Sequence, residues 1–139
     1  VAVVTGAGSG IGRAIAEALA SEGAIVLLLG RQLAKLQATA EAIQAKGGTA
    51  YPHAIDIADD LAIAEFQAMV TEKFGRVDLL VHNAAVHLMA SIHDSKISDF
   101  DRLFRTNVRA PYLLTQSLLP LLIPFSSQIV FVNSTAGLT

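Results

Sequence analysis

The sequence predicts an α/β protein built on a doubly wound parallel sheet, in three layers with helices on both faces. Short apolar runs alternate with stretches of helical periodicity along the whole chain. The runs are apolar without interruption, as strands buried on both faces are. Four glycines, Gly6, Gly8, Gly10 and Gly12, stand where the first run gives way to the first helix.

"VAVVT" (1–5) reads as a buried strand. In "IGRAIAEALASEG", Ile11, Ile15, Ala18 and Leu19 fall at helical spacing and Gly23 is the stop signal. "AIVLLLG" is the second strand, and "QLAKLQATAEAIQAKGG" the second helix, closed by Gly47 and Gly48. "TAYPHAID" is a third strand. Pro52 argues an edge position for it, because proline offers no N–H to a ladder. Asp59 and Asp60 read as the start of a helix across "DLAIAEFQAMVTEKFG". A strand "VDLLVHN", a long helical region from about Ser98 to Leu122 and a strand "QIVFVNS" complete the order. Such β-α alternation requires right-handed crossovers.

Neither a linker nor an internal repeat divides the chain, so residues 1–139 read as one domain. Val1 already lies inside a strand with no Met before it. The expectation is a domain cut at both ends and incomplete on the C-terminal side of its sheet.

Composition excludes several classes. Hydrophobic residues make up 53% and charged residues 16% of the 139. Yet no apolar run approaches the roughly 18–20 residues of a bilayer span. A net charge of −2 and a pI near 6.0 give no basic field for nucleic acid. Cysteine is absent, which excludes disulfides and fits a reducing cytoplasm. The four histidines lack metal-ligand spacing, so no metal is expected.

The glycines have a chemical explanation. Backbone N–H groups at a helix N-terminus lack intrahelical partners and carry partial positive charge, so a pyrophosphate can sit against them. Glycine lets the backbone turn tightly and come close to those phosphates. The spacing G-x-G-x-x-G fails, because Ile11 stands where its third glycine belongs, and a Walker loop lacks its lysine. The pattern that fits is T-G-x-x-x-G-x-G, as Thr5, Gly6, Gly10 and Gly12.

That pattern resembles the short-chain dehydrogenase/reductase family, and the resemblance recurs in order. "AIDIAD" looks like the family's Asp-hydrophobic pair, "VHNAAV" like its N-N-A-G motif, "RTNVRAPYLLTQ" like the segment with its catalytic Asn, and "IVFVNSTAGL" like the strand ending in its serine. "VHNAAV" departs twice, with His82 for the first Asn and Ala85 for Gly.

The resemblance implies a Rossmann-type NAD(P)-binding domain of an oxidoreductase, moving hydride between a nicotinamide and a carbonyl or secondary alcohol. Cofactor contacts are implied at Thr5, Gly6, Ser9, Gly10, Ile11 and Gly12, with Asp56 on the adenine, Ile57 packed near it, and Asn83 and Ala84 beyond. Ser134 and Asn107 are the implied catalytic residues. Pro111 supports the second assignment independently: it lacks an N–H, so the Asn107 carbonyl loses its i+4 donor and the helix should kink. In the family that carbonyl holds a water of the proton relay.

Cofactor choice is read at the end of the second strand. NAD-specific relatives place an acidic residue there; this chain has Gly30, followed by Arg31, whose guanidinium suits a 2′-phosphate. NADP(H) is therefore favoured, with NAD(H) possible, although Ser9 adds no second basic partner. The helical crowd Leu113, Leu114, Leu118, Leu119, Leu121 and Leu122 suits a core or the family's dimer interface equally, so a homodimer or homotetramer is implied.

The family's catalytic tyrosine belongs to a Y-x-x-x-K motif that neither Tyr51 nor Tyr112 fits, since Ile55 and Gln116 stand four residues on. The expectation is a continuation with Tyr near position 147 and Lys near 151, one helical turn apart, and one more parallel strand. On that reading the 139 residues alone are inactive. A 3-oxoacyl thioester reductase is one form of the enzyme. The alternative is a noncatalytic dinucleotide-binding or scaffold protein on the same fold.

Overall fold

The computed structural model describes residues 1–134. Five strands, β1 (Ala2–Thr5), β2 (Ile25–Gly30), β3 (Thr49–Ala54), β4 (Leu79–His82) and β5 (Gln128–Phe131), form one parallel sheet in the order β3-β2-β1-β4-β5. Between them run α1 (Gly10–Ser21), α2 (Leu33–Gln44), α3 (Asp60–Lys73), α4 (Ile97–Phe104) and α5 (Ala110–Leu122). The strand order reverses between β1 and β4, which is where doubly wound sheets open a ligand crevice.

The period-2 alternation of the strands divides the core in two. Val3, Leu27, Leu29 and Leu80 pack with Ile63, Phe66 and Val70 of α3 and with Leu114 and Leu118 of α5. Val4, Val26, Leu28 and Val81 face the other way, onto Ala16 and Ala20 of α1 and Leu36, Ala40 and Ile43 of α2. Each large side chain so buried contributes about 1.5–3 kcal/mol, which is why the central strands need no polar face.

Pro52 lies in β3, an edge strand, as its lack of an N–H requires. Asp59 caps α3, its carboxylate accepting from the Leu61 and Ala62 N–H groups. On α1 the residues at helical spacing are not the most buried ones. Gly12, Ala16 and Ala20 are buried, whereas Ile15 and Leu19 are half-buried and Ile11 and Ala18 exposed. The helix lies so close to the sheet that only small residues fit beneath it.

The long helix is likewise interrupted. Arg105–Arg109 form a π-helical turn between α4 and α5, with the Ala110 N–H bonded to the Arg105 carbonyl. The expected kink near Asn107 takes this form, and Pro111 follows it at the start of α5. Of the leucine crowd, Leu114, Leu118, Leu121 and Leu122 are buried, Leu113 is half-buried and Leu119 is exposed. Among the described residues no helix is long and apolar enough to cross a membrane.

Candidate functional site

A crevice of about 1040 Å³ opens at the carboxyl ends of the strands. Its walls come from the ends of four of them: Gly6, Gly8 and Ser9 after β1, Gly30 ending β2 with Arg31 and Gln32 after it, Ile55–Asp59 after β3, and Asn83–Val86 after β4. The far wall is Ser98, Asp101, Arg102, Arg105 and Thr106, from α4 and the π turn.

Gly6 has φ +68 and Gly10 φ +53, conformations that L side chains rarely adopt. A Cβ on Gly10 would meet only open space, so backbone conformation alone demands glycine there. Gly12 is different: a Cβ would stand 2.3 Å from the Gly6 carbonyl oxygen. It is buried outside the lining, and its part is to let α1 close onto the loop.

Thr5 is fully buried and also outside the lining. Its hydroxyl donates to the Val81 carbonyl and accepts from the Asn83 and Ala84 N–H groups, tying β1 to the end of β4. The Asn83 amide donates to the Thr5 carbonyl at 3.0 Å. Thr5 thus positions Asn83 and Ala84, which themselves face the crevice.

Ser9 is the N-cap of α1 but makes no side-chain cap bond, and the first turn holds no acidic residue. The helix start is open to an anion. Ile11 is exposed beside it and outside the lining. Across the crevice, Asp56 accepts from the Ala58 N–H, and Ile57 is buried in the wall.

Asn107 and Ser134 stand apart from this lining. The Asn107 amide is bonded twice to the Val86 backbone, and the residue borders a second, mostly apolar pocket of about 450 Å³ with Pro111, Tyr112, Thr115 and Phe131. Ser134 is exposed past the carboxyl end of β5, itself an exposed edge strand. The remaining residues of the expected serine segment, from 135, lie outside the described residues.

Two features were missed by sequence reasoning. His82 is buried at the end of β4, its Nε2 within 2.9 Å of the Thr115 hydroxyl and its ring stacked on Phe131. Burial pushes its pKa down to about 4. Lys35, in the first turn of α2, joins Arg31 in the crevice lining. Its spacing of four from Arg31 was the available signal.

The residues suit a dinucleotide: a glycine-rich loop, an open helix start, an apolar-and-acidic wall for a base, and Arg31. A family model for short chain dehydrogenases matches residues 1–139. The chain is 38% identical to a short chain dehydrogenase of Pseudocercospora fijiensis over 141 residues, covering 99% of this chain and 45% of that protein. A metagenomic short-chain oxidoreductase solved in complex with NADP superposes with TM-score 0.92 at 43% identity, over 98% of this chain and 62% of that one. A 3-ketoacyl-ACP reductase from Sinorhizobium meliloti gives TM-score 0.91 at 36% identity, over 98% and 54%. The chain spans about half the length of the curated relatives it matches.

Proposed function

The chain belongs to the short-chain dehydrogenase/reductase family, and from that premise we propose that it is the cofactor-binding part of an NADPH-dependent oxidoreductase acting on a carbonyl or secondary alcohol. One observation carries the reading. Arg31, with Gly30 in place of a carboxylate, lines the same crevice as the glycine loop at the β1/β4 switch point.

NADPH supplies the hydride when bound. The Gly6–Gly10 loop and the α1 N-terminus hold its pyrophosphate, Arg31 pairs with its 2′-phosphate, and Asp56 and Ile57 take the adenine. Asn83 and Ala84, fixed through Thr5, line the way toward the nicotinamide. Proline at position 111 leaves the Asn107 carbonyl without its helical donor, so it holds a water of the proton relay. The Ser134 hydroxyl orients the substrate carbonyl. The metagenomic oxidoreductase with bound NADP supports the cofactor assignment. Likeness to the 3-ketoacyl-ACP reductase makes 3-oxoacyl thioesters the substrates to try first.

Assembly as a homodimer or homotetramer through α4 and α5 fits the exposure of Phe100, Phe104 and Tyr112. A cytoplasmic setting fits a chain without cysteine. Calorimetric titration of the purified protein with NADPH and NADH tests the cofactor assignment. Tighter binding of NADPH is expected, and equal affinities would overturn it. Tight binding with no carbonyl reduction by the native protein would favour the noncatalytic alternative.

A further inference from the structure

Gly8 is a glycine that the T-G-x-x-x-G-x-G pattern does not ask for, and its φ is not positive. Space explains it. A Cβ there would lie 3.0 Å from the Cβ of Lys35, tighter than ordinary contact. The bare backbone at position 8 lets the first turn of α2 settle on the phosphate loop, and the root of Lys35 is thereby fixed against that loop.

Among the described residues, the charge of Lys35 has no partner. Arg13, Lys46, Arg76, Arg102 and Arg109 all pair with carboxylates. Among the described residues, Arg31 and Lys35 form no ion pair and no side-chain hydrogen bond, although both line the crevice. Of the carboxylates in the lining, Asp56 accepts from the Ala58 N–H, and Asp59 caps α3. A cation in the first turn of a helix is also unfavourable against the dipole unless an anion offsets it. No acidic residue in that turn does so.

We propose that Lys35 is a specificity-determining residue that joins Arg31 in holding the 2′-phosphate of the cofactor, and that Gly8 is present to seat it. The inference rests on the NADPH reading above. Arg31 offers a planar fork to the phosphate, while lysine reaches it as a point charge on a flexible stem.

Calorimetry on the purified protein with NADP⁺ and NAD⁺, and with 2′-AMP and 5′-AMP as fragments, tests it. Lys35→Met keeps the stem and removes the charge. It is expected to weaken NADP⁺ and 2′-AMP about tenfold, to leave NAD⁺ and 5′-AMP unchanged, and to flatten the salt dependence of NADP⁺ binding. Lys35→Arg should restore most of the loss. If the parent prefers NADP⁺ but Lys35→Met binds it equally well, or loses NAD⁺ to the same degree, the role of Lys35 is refuted and the NADPH reading stands. A parent without preference for NADP⁺ refutes both.

Discussion

Asn107 and Val86 hold each other by a reciprocal pair of hydrogen bonds. The Val86 N–H donates to Asn107 Oδ1 at 2.9 Å, and Asn107 Nδ2 donates to the Val86 carbonyl at 2.8 Å. The side chain thus acts as an extra strand partner, pinning the segment after β4 against the π turn. The Asn107 side chain is thereby committed to holding this segment.

Asn107→Ala should therefore act on structure first. It removes two hydrogen bonds, worth about 1–2 kcal/mol together, and frees the Val86 segment at the crevice wall. Denaturant unfolding should show that loss, and hydrogen exchange should rise at Val86. Unchanged exchange there would contradict the pinning role.

Gly12→Ala tests the close approach of α1. Its Cβ would meet the Gly6 carbonyl oxygen at 2.3 Å and Asn83 Nδ2 at 2.4 Å, and backbone cannot yield as a side-chain end can. The expected result is a loss of about 1–3 kcal/mol together with loss of dinucleotide binding. Gly10→Ala meets no atom and strains only φ, so it should cost about 1–2 kcal/mol. Thermal unfolding of both variants, with NADPH titrations, separates crowding from strain.

These glycines show what the sequence displayed and what it concealed. Their spacing and the apolar runs sufficed for the sheet, and Pro52 sufficed for the edge. The division of labour among Gly6, Gly8, Gly10 and Gly12 was hidden, because it depends on how near α1 and α2 come to the loop. Ile11, Ile15, Ala18 and Leu19 marked α1 as a helix by their spacing, without marking which residues it buries deepest. Those are the small residues Gly12, Ala16 and Ala20, since close approach selects for size as well as polarity. Pro111 announced a break at Asn107, but not its form, a π turn in which the Ala110 N–H reaches the Arg105 carbonyl. His82 read as a departure from a motif; its bond to Thr115 joins residues 33 apart in sequence, beyond the reach of local pattern.

His82 also sets a pH dependence. Folded, it titrates near pH 4; unfolded, near its ordinary value of 6.5. His53, half-buried against Phe66, is shifted down as well, first by burial and then by Lys73. Both folded-state values are depressed, so the unfolded chain binds more protons between the two values. Stability is full above pH 6.5 and falls as the pH drops toward 4. For His82 the loss between pH 7 and pH 5 is about 2 kcal/mol. Urea unfolding at both values should show it, and His82→Asn should flatten the difference. An unchanged slope in that variant would remove His82 as the cause.

Gly30 and Arg31 are expected to decide which nicotinamide cofactor is taken. Arg31→Leu removes the guanidinium, so NADPH should weaken by about 1.5–3 kcal/mol, the scale of a charge-assisted hydrogen bond, while NADH is nearly unaffected. Gly30→Asp works from the other side, placing a carboxylate at the end of β2 that repels a 2′-phosphate and accepts from a 2′-hydroxyl. Its Cβ would stand 3.3 Å from Leu36 Cδ2, a tight contact that the buried leucine must relieve. A stability loss of about 1 kcal/mol should accompany the change. The double variant is therefore expected to favour NADH, with the reversal coming more from NADPH lost than from NADH gained. Calorimetric titration of the parent and the three variants with both cofactors resolves the contributions. Equal losses of NADPH and NADH in Arg31→Leu would show that Arg31 serves the crevice as a whole and not the 2′-phosphate.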